Sequence, residues 1–239
     1  MWSMQILSYD NMQINVIRKK IKNYYLSVLA NGTIRVSIPL RSTEKAILAF
    51  IESKSLWLKQ KIAQSNISVL QTKRAYKNGE TFYFQGQGYQ LQLISLMNVT
   101  PYIELAEGKK LNLYSHHSIL TPKYTISTWY KAQLDQQLRV LLPKWEQIIG
   151  VKANSYQIKT LKSRWGSCHI STKVITINLE LMKMPCECLE YVVVHELVHL
   201  LEASHNHRFK SLMDQYLPSW REIKKRLNDF IYKNDIGMV

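Results

Sequence analysis

The stretch His195-Glu196-Leu197-Val198-His199 decides how the rest of this 239-residue chain is interpreted. Two histidines four residues apart share one face of a helix, with Cβ atoms roughly 5–6 Å apart. Two imidazoles at this spacing can bind one metal ion, and the glutamate then lies beside that ion. The pattern predicts a zinc-activated water and a carboxylate that acts on it as general base.

The residues around this motif predict a buried helix. The segment 187–203 contains valine at 192, 193, 194 and 198 and is apolar almost all round, which is typical of a helix inside the core. A polar side chain in such a helix costs several kcal/mol unless it has a partner. A divalent cation held by His195 and His199 supplies that partner. The alternative is two core histidines bonded to carbonyl groups, with Glu196 paired to a basic residue.

A catalytic zinc site usually has three protein ligands and one open position. The candidates for the third ligand are Glu202, His205 and His207. Glu202 lies on the predicted helix seven residues after His195, and we expect it beside the ligands rather than among them. Asn206 as an N-cap would carry His207 onto the next helix, so the spacing favours His205 only slightly. The oxyanion needs a donor besides the metal, and the candidates are Arg164, Tyr216 and His207.

Composition limits the partners and the compartment. The net charge of +15 is compatible with an anionic partner, such as nucleic acid, an acidic membrane face or an acidic substrate. A solvated basic surface is the favoured explanation of the short basic clusters. Three cysteines without framework spacing predict a reducing compartment. We find neither a secretory signal nor an apolar run long enough for a membrane span, and we expect a soluble cytoplasmic protein without a membrane partner.

The first half of the chain has the patterns of strands. Asn31-Gly32 between residues 25–29 and 34–38 predicts a hairpin. Ser42 is the expected N-cap of a helix over 43–64. Glycines and alternating apolar residues then predict four more strands, at 81–84, 89–94, 102–105 and 110–114.

The second half is predicted to be mostly helical. A helix over 122–149 contains Pro143, where we expect a break or kink. Strands at 156–161 and 174–179 precede the helix over 187–203, and two more helices follow at 207–217 and from Pro218-Ser219 to about 233. We find no internal repeat. The fold class is α+β, with a β-rich part over 1–118 that contains one helix, and a helical part with a short sheet over 119–239.

Several of these segments together resemble a known family. The matching residues are Arg164-Trp165-Gly166-Ser167-Cys168, Ile177-Asn178, Pro185, Tyr191–Leu200, His205, Phe209, Pro218 and Trp220, with Asn31–Val36, Ser55–Trp57 and Asn78-Gly79-Glu80 upstream. This ordered set resembles the YgjP-like metallopeptidase domain, a cytoplasmic zincin family related to the SprT-like proteases. The resemblance implies a zincin-like catalytic part, zinc bound by His195, His199 and His205, and Glu196 as the catalytic residue. The metzincin pattern is disfavoured, because it requires glycine at the position of Glu202.

The residues of the Arg164–Cys168 segment also predict local contacts around the site. Gly166 is expected to permit a tight turn beside the site, and Trp165 to pack on the active helix. By analogy with zincins, the strand at 174–179 is expected to pair with an extended peptide substrate. Asn178 is expected to orient a ligand or a loop, and Cys168 is expected to be a buried, inert thiol.

Three functions are compatible with these features. The leading hypothesis is a cytoplasmic zinc metallopeptidase that acts on peptides or proteins. The second keeps the metal but replaces the substrate with a nucleotide or another phosphate compound. The third is a DNA-associated protease or nucleic-acid-binding module, motivated by the basic charge and by the relation to SprT-like proteins.

Overall fold

The computed structural model describes residues 4–10, 12–29, 33–59, 75–116, 122–161 and 163–233. The chain divides into two compact units, Met1–Arg74 and Ala75–Val239. The boundary predicted between residues 118 and 119 falls inside the second unit, and as a domain boundary it stays a prediction.

The first unit is a four-stranded sheet with a helix. Its elements are β1 (Met4–Tyr9), β2 (Met12–Lys19), β3 (Tyr25–Val28), β4 (Ile34–Pro39) and α1 (Glu44–Ser53), and the strand order is β1-β2-β4-β3. Apolar residues alternate along β2 and β4, so that one face of the sheet packs with Ile47 and Ile51 of the helix in a separate core.

The expectations for this unit are met in part. Strands β3 and β4 pair antiparallel as predicted, although Asn31-Gly32 itself lies outside the described residues. The predicted helix over 43–64 is capped by the Thr43 side chain rather than by Ser42 and begins at Glu44. Helix α1 ends at Ser53, residues 55–59 are helical again after a turn at Lys54, and residues 60–64 lie outside the described part. The first two strands were not predicted at all.

The second unit begins with another four-stranded sheet. It contains β5 (Thr81–Phe84), β6 (Gln87–Ser95), β7 (Tyr102–Ala106) and β8 (Lys110–Ser115), in the order β5-β6-β8-β7. All four strands are confirmed to within two residues at each end. The turn between β5 and β6 ties the sheet to a distant segment of the chain, since the amides of Gln85 and Gly86 donate to the carbonyls of Met182 and Lys183.

The two sheets are structural repeats of each other, which contradicts the expectation of no internal repeat. Each has an antiparallel first pair, a parallel central pair and an antiparallel last pair. The central partners are twenty residues apart in both, as in Ile14 with Ile34 and Leu91 with Leu111. These four side chains are buried. The repeat preserves apolar character rather than residue identity, which is why the sequence does not reveal it.

The remainder of the second unit surrounds a buried helix. Its elements are α2 (Pro122–Ile149), β9 (Ser155–Lys159), β10 (Gly166–His169), β11 (Val174–Asn178), a 3-10 helix (Leu179–Lys183), α3 (Cys186–Val198), α4 (His207–Tyr216) and α5 (Trp220–Lys233). Of the break or kink predicted at Pro143, the break does not occur, since α2 continues through this residue with Leu142 and Trp145 buried on either side. The kink stays a prediction. Helix α3 is buried on almost every side, as expected. The fold class α+β is therefore confirmed.

Within the described residues, no helix combines the length and the apolar character needed to cross a membrane.

Candidate metal centre

Helix α3 brings the two motif histidines together at its last turn. His195 lies in that turn and His199 caps it, with the His199 amide donating to the carbonyl of His195. The predicted end at residue 203 is wrong, because the chain leaves the helix after Val198 through a series of turns over 199–201. Glu202 therefore does not lie on this helix, and its amide donates to the carbonyl of Val198.

The turns after α3 return the chain to the site at His205. The Nε2 atoms of His195 and His205 lie 2.9 Å apart. One ligand atom each of His195, His199 and His205 lies within 4.8 Å of the other two. Three imidazoles converge in this way where one cation can bind all of them, since zinc–nitrogen distances are about 2.0–2.1 Å.

The carbonyl of Glu202 orients His199. Nδ1 of His199 lies 3.0 Å from this oxygen. A carbonyl only accepts hydrogen bonds, so the proton lies on Nδ1 and the lone pair on Nε2. A second hydrogen bond of this kind fixes the tautomer and the ring orientation of metal-binding histidines. Glu202 thus belongs beside the ligand set, as expected, but its backbone rather than its carboxylate makes the contact.

Phe209 forms the apolar support of the three rings. Its ring centroid lies 4.9 Å from that of His195, 4.6 Å from that of His199 and 4.7 Å from that of His205. The side chain of Asn206 accepts from the Phe209 amide at 3.0 Å and thereby starts α4 directly after His205. The predicted cap is confirmed, and it fixes both the third histidine and its supporting ring.

The surroundings of His195 and His205 favour the neutral form of their imidazoles. Burial lowers the pKa of His195 to about 3, and the neighbouring His199, His205 and Lys224 add to the effect. Burial, followed by His199 and Lys224, also lowers the pKa of His205. Neutral imidazole is the form that binds a metal, so the donor set fits a divalent transition metal.

The carboxylate of Glu196 is buried between α3 and strand β10. It is 5% exposed, and burial raises its pKa to about 8, although the charge of Arg164 and a hydrogen bond from the Cys168 amide act in the opposite direction. A Cβ atom on Gly166 would lie 2.7 Å from Oε1 and 2.8 Å from Cγ of Glu196. The expected turn at Gly166 is wrong: this glycine begins strand β10 and leaves room for the carboxylate.

The three-stranded sheet has the order β10-β11-β9. The prediction that residues 174–179 bind an extended peptide conflicts with this order, because β11 is paired on both sides. The edge strand beside Glu196 is β10.

Asn178 holds the loop that leads into β10. It is fully buried, and its Nδ2 donates to the carbonyls of Leu161 and Arg164 at 2.9 Å each, while Oδ1 accepts from the amides of Leu161 and Glu180. The expectation that Asn178 orients a loop is confirmed. Trp165 packs against the buried core of the second unit.

The other polar candidates have different surroundings. The Arg164 charge acts on Glu196. Tyr216 donates its hydroxyl to the carbonyl of Ile149, and Nδ1 of His207 lies 3.5 Å from the Ser211 hydroxyl. Burial, together with the charge of Glu196, raises the pKa of the Cys168 thiol to about 11, so the thiol is protonated at neutral pH.

A family model assigns the chain to a class of protein. The model of the YgjP-like metallopeptidase domain matches residues 22–230. The chain is thus a metallopeptidase by class. It belongs to the YgjP-like family. Membership of a metallopeptidase family implies a divalent metal and a peptide or protein substrate.

Two solved structures of metallopeptidases are also similar to part of the chain. The zymogen of Pyrococcus abyssi abylysin is 23% identical, with a TM-score of 0.37 over 43% of this chain and 99% of that one. The zymogen of Methanocaldococcus jannaschii jannalysin is 21% identical, with a TM-score of 0.35 over 38% of this chain and 94% of that one. No curated protein matches the chain.

Proposed function

We propose that this protein is a zinc-dependent peptidase in which His195, His199 and His205 hold one zinc ion and Glu196 is the general base. The observation that carries the proposal is the convergence of three imidazole nitrogens within 4.8 Å beside a buried carboxylate. Membership of a metallopeptidase family supports the same reaction class.

The ligand chemistry favours zinc over other ions. A set of three neutral imidazoles with an open fourth position is an established zinc arrangement in hydrolases. Hard cations such as Mg²⁺ and Ca²⁺ prefer oxygen ligands. When bound, zinc lowers the pKa of a water to about 7 and polarises the substrate carbonyl.

Glu196 has the surroundings of a general base. It accepts a proton from the water that attacks the peptide carbonyl and transfers it to the leaving amine. Burial raises the pKa of this carboxyl to about 8, which favours the form that carries the proton from the water to the leaving amine. The Cys168 amide and the gap at Gly166 hold the carboxylate in place.

We place the peptide substrate along the outer edge of β10. The amide of Asn178 donates to the carbonyl of Trp165, and antiparallel hydrogen bonds alternate along a strand. The backbone groups of Gly166 and Cys168 therefore point away from β11. The Cys168 amide on this side is bonded to Glu196, which leaves the Gly166 groups and the Cys168 carbonyl for pairing with a substrate. An extended peptide that pairs with this edge passes beside the general base.

The nucleotide alternative and the cytoplasmic location remain hypotheses. The first predicts hydrolysis of nucleoside triphosphates by the same centre. The second has its support in the three cysteines of the sequence, two of which are at least partly buried thiols.

The test compares wild type, Glu196→Gln and Glu202→Gln on casein, short fluorogenic peptides and nucleoside triphosphates, with and without chelator. We expect metal-dependent cleavage of casein or peptides by wild type and Glu202→Gln, and loss of cleavage with zinc retained in Glu196→Gln. Unchanged peptide cleavage in Glu196→Gln contradicts the general-base assignment. Cleavage confined to triphosphates contradicts the peptidase.

A further inference from the structure

The first unit carries most of the net positive charge of the protein. Residues 1–74 contain twelve Lys and Arg but only three Asp and Glu, so about a third of the chain accounts for nine of the fifteen net charges. None of its four strands contains an acidic residue.

One face of the sheet in this unit lies opposite the core. The residues that alternate with the buried Ile14, Val16, Ile34 and Val36 point to this face. The pairing register aligns them in rows across the strands. The rows contain Ile17, Ser37 and Tyr25; Ile6, Asn15, Arg35 and Ser27; and Lys19 with Pro39. We call this surface the outer face.

Tyr25 and the basic residues lie at one end of the outer face. Tyr25 is 57% exposed and begins β3, where it pairs with Ser37. Lys19 ends β2 on the neighbouring side, and the exposed Lys20 and Lys22 lie in the connection to β3. Arg35 is exposed in the next row.

The sheet of the second unit provides a comparison for the surroundings of Tyr25. Tyr102 occupies the position of Tyr25 in the second sheet, but there it stacks on Tyr114 at 4.6 Å with an interplanar angle of 15°. The Tyr114 hydroxyl in turn donates to Glu104 at 3.0 Å. The second sheet therefore carries its own stacking partner and an acidic group.

The first sheet replaces each of these groups. Ser37 stands at the position of Tyr114, Ser27 at that of Glu104, and Arg35 at that of Asn112. The substitutions remove a ring and a negative charge and add a guanidinium. The outer face thus combines an exposed aromatic ring with cations, where the second sheet has a satisfied aromatic pair.

We propose that the outer face binds single-stranded nucleic acid, with a nucleobase stacked on Tyr25 and phosphates bound by Arg35 and Lys19. Sheet surfaces recognise unpaired bases by stacking on aromatic side chains, and a basic groove follows the phosphate backbone. Arginine suits the phosphate contact because its fork of donors matches phosphate oxygens. This activity is independent of the proposed peptidase.

The test measures binding of fluorescein-labelled oligo(dT) and oligo(U), about 12 nucleotides long, to the full-length protein by fluorescence anisotropy. We expect binding of at least one oligomer, with affinity that falls steeply between about 0.05 and 0.2 M salt. The two oligomers distinguish DNA from RNA as the source of the strand. The Glu196→Gln variant should bind as wild type does.

Four variants locate the site. Tyr25→Ala should weaken binding on the order of tenfold, whereas Tyr25→Phe should retain it. Tyr102→Ala removes the equivalent tyrosine of the second sheet and should leave binding unchanged. Arg35→Ala should weaken binding and reduce the salt slope by about one.

Three results overturn the proposal. The first is no binding of either oligomer at about 0.05 M salt. The second is equal affinity of Tyr25→Ala and wild type, which would leave only an electrostatic surface. The third is displacement of the oligomer by polyglutamate or by phosphatidylserine vesicles at the same charge concentration, because those ligands have no base to stack.

Discussion

Gly166 and Glu196 are in such close contact that a Cβ atom on residue 166 would lie 2.7 Å from the glutamate Oε1. The two residues belong to an edge strand and to a buried helix, and the contact places the carboxylate against the backbone of that strand. The position of the Glu196 carboxylate thus depends on the absence of a side chain at residue 166.

Gly166→Ala is expected to displace the Glu196 carboxylate. The side chain is enclosed by α3 and β10, so it moves away from the reacting atoms rather than into solvent. A misplacement of about 1 Å can lower a rate on the order of 10²-fold, and we expect a loss of that size in kcat with zinc content unchanged. Gly88→Ala is the control, because its new Cβ meets side chains of its own sheet, the Thr81 methyl at 3.2 Å and the Tyr83 ring at 3.5 Å. Equal activity of the two variants contradicts the role of Gly166.

Asn206→Ala tests whether the helix cap also positions a ligand. The lost bond to the Phe209 amide should lower the free energy of unfolding by about 1 kcal/mol. Thr43→Ala removes the side chain that caps α1 through the Ala46 amide, and it should lower the free energy of unfolding by a similar amount. Only Asn206→Ala should weaken zinc binding, because His205 directly precedes the cap. Competition with a chromogenic chelator measures the difference, and identical zinc affinity in the two variants would show that the cap is merely structural.

Phe209→Leu tests the apolar support of the three imidazoles. Phe209 is 2% exposed, as is Phe82 in the second sheet. Either replacement with leucine should lower the free energy of unfolding by about 1–3 kcal/mol, since each removes part of a well-packed ring. Phe209→Leu alone should weaken zinc binding, because its ring contacts all three histidines. A loss of zinc affinity in Phe82→Leu of the same size would point to general destabilisation.

The bond between Tyr156 and Asp135 predicts a pH-dependent contribution to stability. The Tyr156 hydroxyl donates to Asp135 at 2.7 Å, and this bond, followed by that from Arg139, lowers the pKa of the carboxyl. The folded-state pKa is below the unfolded one, so the stabilisation is complete above about pH 4 and is lost as the pH falls through the folded-state value. Tyr156→Phe should therefore be less stable than wild type at pH 7, and the difference should shrink below about pH 4. Urea unfolding at several pH values measures it, and a constant difference contradicts the linkage.

The sequence predicts those parts of the fold that have local signals. Alternation and glycine turns locate β5 to β8, and the cap at Asn206 locates α4. The alternation of Ile14 and Val16 after Asp10-Asn11 is a local signal of the same kind, and it marks the first hairpin. Leu200 and Leu201 extend the apolar pattern of α3, but backbone bonds to Leu197 and Val198 close turns there instead. No local sequence pattern predicts that these turns form in place of a further turn of the helix.

The candidate site likewise contains residues that a local pattern predicts and contacts that no local pattern predicts. The ligands His195 and His199 are visible from helical spacing, and the resemblance adds His205. The contact between Gly166 and Glu196 joins residues thirty positions apart in the chain, and the bond from His199 to the Glu202 carbonyl depends on where a helix ends. Both are products of tertiary packing. The order of the short sheet, which makes β10 the edge, is likewise a long-range property.

The most direct test of the central claim is the zinc content of purified protein after dialysis against a weak chelator, measured by inductively coupled plasma mass spectrometry. The matched variants are His205→Ala and His207→Ala, two histidines that lie on either side of the cap residue Asn206. We expect about one zinc per chain in wild type and in His207→Ala, and a large loss in His205→Ala. Full zinc occupancy in His205→Ala would contradict the three-histidine centre.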